Sequence, residues 1–361
     1  MDAGTLLQFG LGLVLLVAGA ESLVRGSARL AAAVGVPPLI IGLTVVAFGT
    51  SSPEIVVSVQ AAFSDRADIA LGNVIGSNIF NVLFILGLSA VVAPLVVSDQ
   101  LVRYDVPIMI GASSLVMLLG MNGSLHRLEG LLLLVLLALY IAFLAWLSHR
   151  RGHPPPGLIP DPPTESNRLV DVIRIAAGLA LLVIGSRFLV NGSVAIARFL
   201  GLSELVIGLT IVAAGTSLPE VATSVIASYR GQRDIAVGNI IGSNIFNLLA
   251  VLGTAAVLSP RPLNVSAAAL TFDLPVMVAV AMACLPIFAG HRIPRWIGVL
   301  FLAYYATYVT FLVLDATDHE ALPIFSGVML SFVVPITVVT LAVMLIRSRR
   351  TAASDRDGPH G

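Results

Sequence analysis

GLTVVAFGTSSPE (Gly42 to Glu54) recurs as GLTIVAAGTSLPE (Gly208 to Glu220), and DIALGNVIGSNIFN (Asp68 to Asn81) recurs as DIAVGNIIGSNIFN (Asp234 to Asn247). Both pairs stand 166 residues apart, with 10 of 13 and 12 of 14 positions identical and no gap. The chain is internally duplicated. What the copies share is Gly, Thr, Ser, Pro, Glu and Asn set inside long apolar stretches, and such residues are costly in lipid.

Of the 361 residues, 57% are hydrophobic and only 11% charged, with a mean hydropathy of +0.99. A water-soluble fold of this length does not show such values. Apolar runs of the length needed to cross ~30 Å of hydrocarbon fall near 4–24, 38–63, 69–92, 104–121, 127–147, 169–192, 204–229, 235–258, 272–290, 296–315 and 321–346. That is eleven expected spans. The first reads as a retained helix rather than a cleaved signal, because Met1 to Gln8 has no basic residue and Glu21 and Arg25 follow the apolar stretch. All 20 basic residues are Arg, which excludes a lysine Schiff base with retinal or pyridoxal. Cys284 is the one cysteine, so no intrachain disulfide forms.

With spans alternating, Arg66, Arg127, Arg187, Arg198 and Arg261 fall on the side of the amino terminus and the other 15 opposite. The positive-inside rule then places the amino terminus outside and the central loop and carboxyl terminus in the cytoplasm, with the plasma (inner) membrane the expected location. The expected organisation is a five-span repeat at 1–147, a Pro-rich cytoplasmic linker at 148–168, a second five-span repeat at 169–315, an additional span at 316–346 and a disordered cytoplasmic tail at 347–361. Because five is odd, the second copy enters the membrane in the opposite direction. The expected fold class is an all-α polytopic membrane protein of two inverted-topology five-helix repeats, ten helices plus an eleventh. Inverted repeats are an architecture of secondary transporters.

In GTSSPE, Pro53 lacks an amide proton and its ring clashes with the preceding turn, so the helix should break near Gly49. A break at mid-membrane depth is tolerated where it is buried in protein or lines a cavity. It frees carbonyls near Ala47 and Gly49 and aligns Thr50, Ser51 and Glu54. Ser77 and Asn81, like Ser243 and Asn247, are spaced i, i+4 and share a helix face, and Gly72 and Gly76 allow a neighbouring helix to come close. Superposing the halves about a pseudo-twofold axis brings Glu54 and Glu220 together, ringed by Thr50, Thr216, Ser51, Ser217, Ser77, Ser243, Asn81 and Asn247. Every donor is a hard oxygen, which suits Ca²⁺ and Na⁺ and disfavours Zn²⁺ and Cu⁺. One Ca²⁺ neutralises two ionised carboxylates, and Na⁺ competes electrostatically.

The paired GTS-x-PE and GN-x-x-GSN-x-x-N blocks in oppositely oriented halves resemble the alpha repeats of sodium/calcium exchangers of the cation/calcium antiporter superfamily, over roughly residues 4 to 315. The resemblance implies Na⁺ and Ca²⁺ as transported substrates, with no cofactor and no soluble or nucleic-acid partner. It makes Glu54 and Glu220 the central ligands, Ser51, Ser77, Ser217 and Ser243 flanking ligands, Thr50 and Thr216 oxygen donors at the breaks, and Ala47 and Ala213 donors of backbone carbonyls. Some relatives carry Asp where this chain has Asn247, which favours exchange without K⁺. Proton-coupled relatives show GN-x-x-E, whereas Gly76 and Gly242 stand in that place here; a Ca²⁺/H⁺ or other divalent antiporter is the alternative. The eleventh span departs from the usual ten helices of the family, and the chain lacks the large regulatory Ca²⁺-binding loop of animal exchangers.

Plainer readings compete with these. Ser51-x-x-Glu54 and Ser217-x-x-Glu220 match the capping box; yet a charge at the bilayer centre costs ~2.5–3.5 kcal/mol or more, and carrying it twice favours function. Asp68, Asp234, Asp105 and Asp273 read as amino-terminal caps. Glu21, which aligns with Arg187 across the repeats, reads as a salt-bridge partner. An intramembrane hydrolase using Ser51 or Ser77 would need a nearby base, and no His lies deep in a span. A passive channel fits less well than a gated site, given an inverted pair of broken helices around one carboxylate pair.

Overall fold

A computed structural model describes residues 3–63, 67–151, 168–199, 213–317 and 319–329. The first long helix, α1 (Ala3–Val34), is followed by a broken span, α2 (Pro38–Thr50) and α3 (Ser52–Phe63), bent by 44°. Next come α4 (Ile69–Val92), α5 (Leu101–Gly120) and α6 (Arg127–Arg151). The second half holds α7 (Arg168–Phe199), a helical turn at Ala213–Gly215, α8 (Leu218–Tyr229), α9 (Arg233–Leu258), α10 (Ala269–Phe288), α11 (Arg295–Ala316) and the short α12 (Leu322–Val328). Among the described residues eight helices are long and apolar enough to cross a membrane, nine with the bent pair counted as one span. Residues 152–167 of the expected linker, the first third of the seventh span, the greater part of the eleventh and the tail lie outside the described residues, while the ends of that linker, 148–151 and 168, belong to α6 and α7. At 32 residues, α1 and α7 outrun their apolar stretches and the ~30 Å of hydrocarbon, which long helices accommodate by tilting.

Four two-residue strands fix the relation between the halves. β1 (Leu95–Val96) lies between α4 and α5, β2 (Ser124–Leu125) between α5 and α6, β3 (Leu263–Asn264) between α9 and α10, and β4 (Arg292–Ile293) between α10 and α11. β1 pairs antiparallel with β4, Leu95 opposite Ile293, and β2 with β3, Ser124 opposite Asn264. One crossing helix separates β1 from β2, so they sit at opposite ends of the molecule, and the same holds for β3 and β4. Since β1 shares an end with β4, its repeat equivalent β3 is at the other end. The second half is inverted relative to the first.

The core is built on α4 and α9, the most buried spans, at 78% and 89% of their apolar windows against 28% and 17% for the peripheral α6 and α11. Close backbone approach holds the periphery to it. A Cβ on Gly298 of α11 would lie 2.5 Å from the Gly87 carbonyl of α4, and one on Gly130 of α6 would lie 2.9 Å from the Gly253 carbonyl of α9. Each peripheral helix therefore docks on the core helix of the other repeat. Gly72 and Gly76, expected to admit a neighbour, have nothing within 4 Å of their Cβ positions among the described residues, and the segment that symmetry pairs with them, residues 204–212, lies outside those; their repeat equivalents Gly238 and Gly242 lie against Leu39 and Leu43 of α2.

Outside this core, α1 and α7 run antiparallel through glycines spaced by seven: Gly12 meets Gly185, Gly19 meets Gly178 and Gly26 meets the Asp171 carbonyl. With lipid as apolar as any side chain, such contact stabilises helix pairs by dispersion between backbones. Gly178→Leu would force its Cβ to within 2.7 Å of the Leu23 amide nitrogen. We expect it to lower the melting temperature of the purified protein, with overpacking costs of about 1–3 kcal/mol; replacing Gly10, whose Cβ position has nothing within 4 Å, by Ala should leave the melt unchanged.

The carboxylates expected as caps do other work. Asp105 and Asp273 make no capping hydrogen bond; instead Tyr140 donates to Asp105 at 3.0 Å and Tyr308 to Asp273 at 3.2 Å, bracing α6 to α5 and α11 to α10 alike. Asp234 lies in the first turn of α9, after an uncapping Gln232, where its charge meets the helix dipole; the Asp68 side chain is outside the described residues. Glu21 does form an ion pair, with Arg25 one turn on and with Arg230 at 2.8 Å, joining α1 to the end of α8. Removing the hydroxyl with Tyr140→Phe leaves the fully buried Asp105 short of a donor, a loss of about 1–3 kcal/mol. Chemical or thermal unfolding should show a larger drop for it than for Tyr308→Phe, whose partners are half-buried.

Candidate cation site at the helix breaks

The chain leaves helical geometry at Ser51 (φ −81°, ψ 5°) and Ser217 (φ −88°, ψ 8°), each two residues before its Pro. Each proline sits where its missing N–H is harmless, at the first turn of the next helix, and the two glutamates follow in that turn. Both are fully buried, as are Ser51, Ser217, Thr50, Ser77, Ser243, Asn81 and Asn247. The serines do not cap their own helices, which answers the capping-box reading. They cross over: Ser51 Oγ donates to Glu220 Oε1 at 2.9 Å, and Ser217 Oγ donates to Glu54 Oε1 at 2.9 Å. Ser77 lies 3.1 Å from Ser217, and Ser243 3.5 Å from Glu220 Oε1. Each carboxylate is thus bound by the break of the opposite repeat, and both meet at one depth on the pseudo-twofold axis.

The second carboxylate oxygens, Glu54 Oε2 and Glu220 Oε2, are buried and have no hydrogen-bond partner among the described residues, and the same is true of Asn81 Oδ1 and both amide atoms of Asn247. Leaving a buried acceptor unsatisfied costs about 1–3 kcal/mol, more for a charge. Carboxylate oxygens paired about an axis and left without donors are suited to a cation. Among the described residues no group of three or more His, Cys, Asp or Glu is present. The charge available is that of the two glutamates.

The remaining expected residues divide. Thr50 and Thr216 are held by asparagines of the other repeat: Thr50 Oγ1 is 3.1 Å from Asn239 Oδ1, and Thr216 Oγ1 is 3.3 Å from Asn73 Oδ1. Asn73 then donates to Ser58 at 2.9 Å and Asn239 to Ser224 at 2.9 Å. These asparagines and serines, each pair 166 residues apart, were not among the expected site residues, although Asn73 and Asn239 stand inside the quoted repeats. Asn81 and Asn247 open π-helical turns at Asn81–Leu86 and Asn247–Val251; Asn81 donates to Asn244 at 3.1 Å rather than to a glutamate. The Ala47 carbonyl is not free as the proline argument expects. It accepts the Ser51 amide at 3.0 Å and lies 3.3 Å from the Thr50 hydroxyl, because the helix continues one turn further before it breaks. Ala213 begins the turn Ala213–Gly215.

The family pattern described as sodium/calcium exchanger protein matches residues 4–146 and 171–314, each half of the duplication separately. The chain belongs to the sodium/calcium exchanger family. It is 33% identical over 339 residues to the sodium/calcium exchanger MaX1 of Methanosarcina acetivorans, covering 84% of this chain and 96% of that protein. It is 36% identical to the inner membrane protein YrbG of Escherichia coli over 80% of this chain and 90% of YrbG. Among solved structures, the sodium-calcium exchanger NCX_Mj superposes with a TM-score of 0.73 at 32% identity, covering 86% of this chain and 99% of that one. As a member of this exchanger family the chain is an integral membrane transporter and not an enzyme.

Proposed function

We propose that the chain exchanges Na⁺ for Ca²⁺ across the membrane by alternating access, at one site between Glu54 and Glu220. The observation that carries this is the pair of buried glutamates, each with one oxygen bound by the serine of the opposite break and the other without a partner among the described residues. Two carboxylates are neutralised by one Ca²⁺, while Na⁺ occupies the same oxygens without reaching that charge density. Competition between the ions then couples their movements. Ser51, Ser217, Ser77 and Ser243 would complete the shell, with Thr50, Thr216, Asn81, Asn247 and the carbonyls of Ala47 and Ala213 as further donors. MaX1 and NCX_Mj, both called sodium/calcium exchangers, support the same substrates here.

In this reading residues 1–147 and 169–315 are the two repeats, 148–168 joins them in the cytoplasm, 316–346 is an added span and 347–361 a tail. The excess of Arg on the side opposite the amino terminus supports an external amino terminus. The glycine-to-glycine contact of α1 with α7 supports movement of these two helices as one body against the core. Equilibrium binding tests the site: ⁴⁵Ca²⁺ should bind the purified protein at one site and be displaced by Na⁺ but not by choline. Binding that Na⁺ leaves intact would exclude a shared site.

A further inference from the structure

A cavity of about 290 Å³ opens beside the site, lined by Ser52, Pro53 and Val56 of α3, by Thr216, and by Ser186 and Arg187 of α7 among others. The α7 lining residues Val183, Ser186, Arg187, Val190 and Asn191 are spaced i, i+3, i+4, i+7, i+8, one continuous helix face. Arg187 is exposed on that face. Its depth follows from its neighbours on α7: Leu179 lies against Gly49 of one break and Val190 against Gly215 of the other. The guanidinium therefore projects at the level of the carboxylate pair, beside a cavity that Thr216 of the site also lines. Among the described residues no carboxylate pairs with it. Glu21, its repeat equivalent, is by contrast tied to Arg25 and Arg230, so at this position the two halves carry opposite charges.

A charged residue at mid-membrane depth is a functional candidate by default. We infer that Arg187 sets the discrimination between divalent and monovalent cations at the face onto which this cavity opens, by repelling them in proportion to their charge. With the amino terminus outside, α7 runs outward from the central loop and the cavity lies along its distal half, so this is the external face. A fixed positive charge lowers the local concentration of an ion by a factor that rises exponentially with ion valence. The factor for Ca²⁺ is accordingly the square of that for Na⁺. Arg187 thus favours release of Ca²⁺ and loading of Na⁺ on the outside, which poises the exchanger for Ca²⁺ extrusion. The inference rests on the Na⁺/Ca²⁺ reading above.

The test uses Arg187→Gln, Arg187→Lys and Asn191→Asp in the full chain, the last adding a carboxylate one turn from Arg187. Half-saturating concentrations of Ca²⁺ and Na⁺ are measured separately on the two faces, in right-side-out and inverted vesicles. Arg187→Gln should lower the external value about threefold for Na⁺ and about tenfold for Ca²⁺, Asn191→Asp should act in the same direction, and Arg187→Lys should match the wild type. The internal face should not change. Equal factors for the two ions, no shift in either, or a Lys variant that behaves like Gln would overturn the inference; a guanidinium engaged with lipid phosphate rather than the ion path gives the second of these. Na⁺-driven Ca²⁺ uptake by the wild-type protein decides the reading of the site, and the ratio of the two shifts decides the role of Arg187.

Discussion

Glu54→Gln and Glu220→Gln are each expected to lose Na⁺-driven Ca²⁺ uptake, by about 100-fold or more, while reaching the membrane in normal amounts. The amide keeps the shape of the side chain and an oxygen to accept the Ser217 or Ser51 hydroxyl, each 2.9 Å away in the native protein. What it removes is one of the two charges at the centre, and breaking a buried ionic contact costs about 3–5 kcal/mol. Folding should not suffer, since an uncharged group is cheaper to bury than a carboxylate without donors. Melting curves check this: the variants should melt at or above the wild-type temperature without ions and should lose the upward shift that Ca²⁺ gives the wild type by binding the folded state. Uptake retained by both variants would remove the carboxylate pair from the mechanism.

Asn73→Ala and Asn239→Ala should raise the half-saturating Ca²⁺ concentration about 10–100-fold, the usual consequence of deleting a group that orients an ion's ligands. Each asparagine ties a threonine of the opposite break to a serine of the helix after its own repeat's break: Thr216 and Ser58 for Asn73, Thr50 and Ser224 for Asn239. Asn73 also reaches the Glu54 carbonyl at 3.4 Å. Losing it releases donors on both sides of the axis at once. Asn78→Ala is the matched comparison, because the Asn78 amide is spent on Val74 of its own helix at 2.7 Å and makes no hydrogen bond across the repeats among the described residues. Transport at several Ca²⁺ concentrations separates the two; equal losses at Asn73 and Asn78 would show that the helix, not the bridge, had been damaged.

Much of this was legible in the chain because inversion and helix breaking have local causes. An odd number of apolar runs per repeat dictates opposite insertion, and the strand pairings Leu95 with Ile293 and Ser124 with Asn264 are that inversion seen in space. The proline of Gly-Thr-Ser-x-Pro opens a new helix in both repeats, hence the breaks at Ser51 and Ser217. The contacts between repeats were not legible, since a sequence does not show which hydroxyl faces which carboxylate. Ser51 and Ser217 match a capping box letter for letter, yet each donates to the glutamate of the other repeat. Asp105 and Asp273 look like caps two residues before a proline, but their tyrosines stand 35 residues on, a spacing no helical period marks. The heptad glycines of α1 and α7 were on view in the sequence, and their meaning came only with the partner helix.

The central claim is that one mid-membrane carboxylate site couples Na⁺ to Ca²⁺. Its most direct test is ⁴⁵Ca²⁺ uptake into vesicles reconstituted with the protein, loaded with Na⁺ and diluted into Na⁺-free medium, beside vesicles loaded with K⁺ or holding a pH gradient. Uptake driven by the outward Na⁺ gradient alone is the predicted result. Uptake driven by the pH gradient and indifferent to Na⁺ would contradict it, and would leave the same carboxylates exchanging Ca²⁺ for protons.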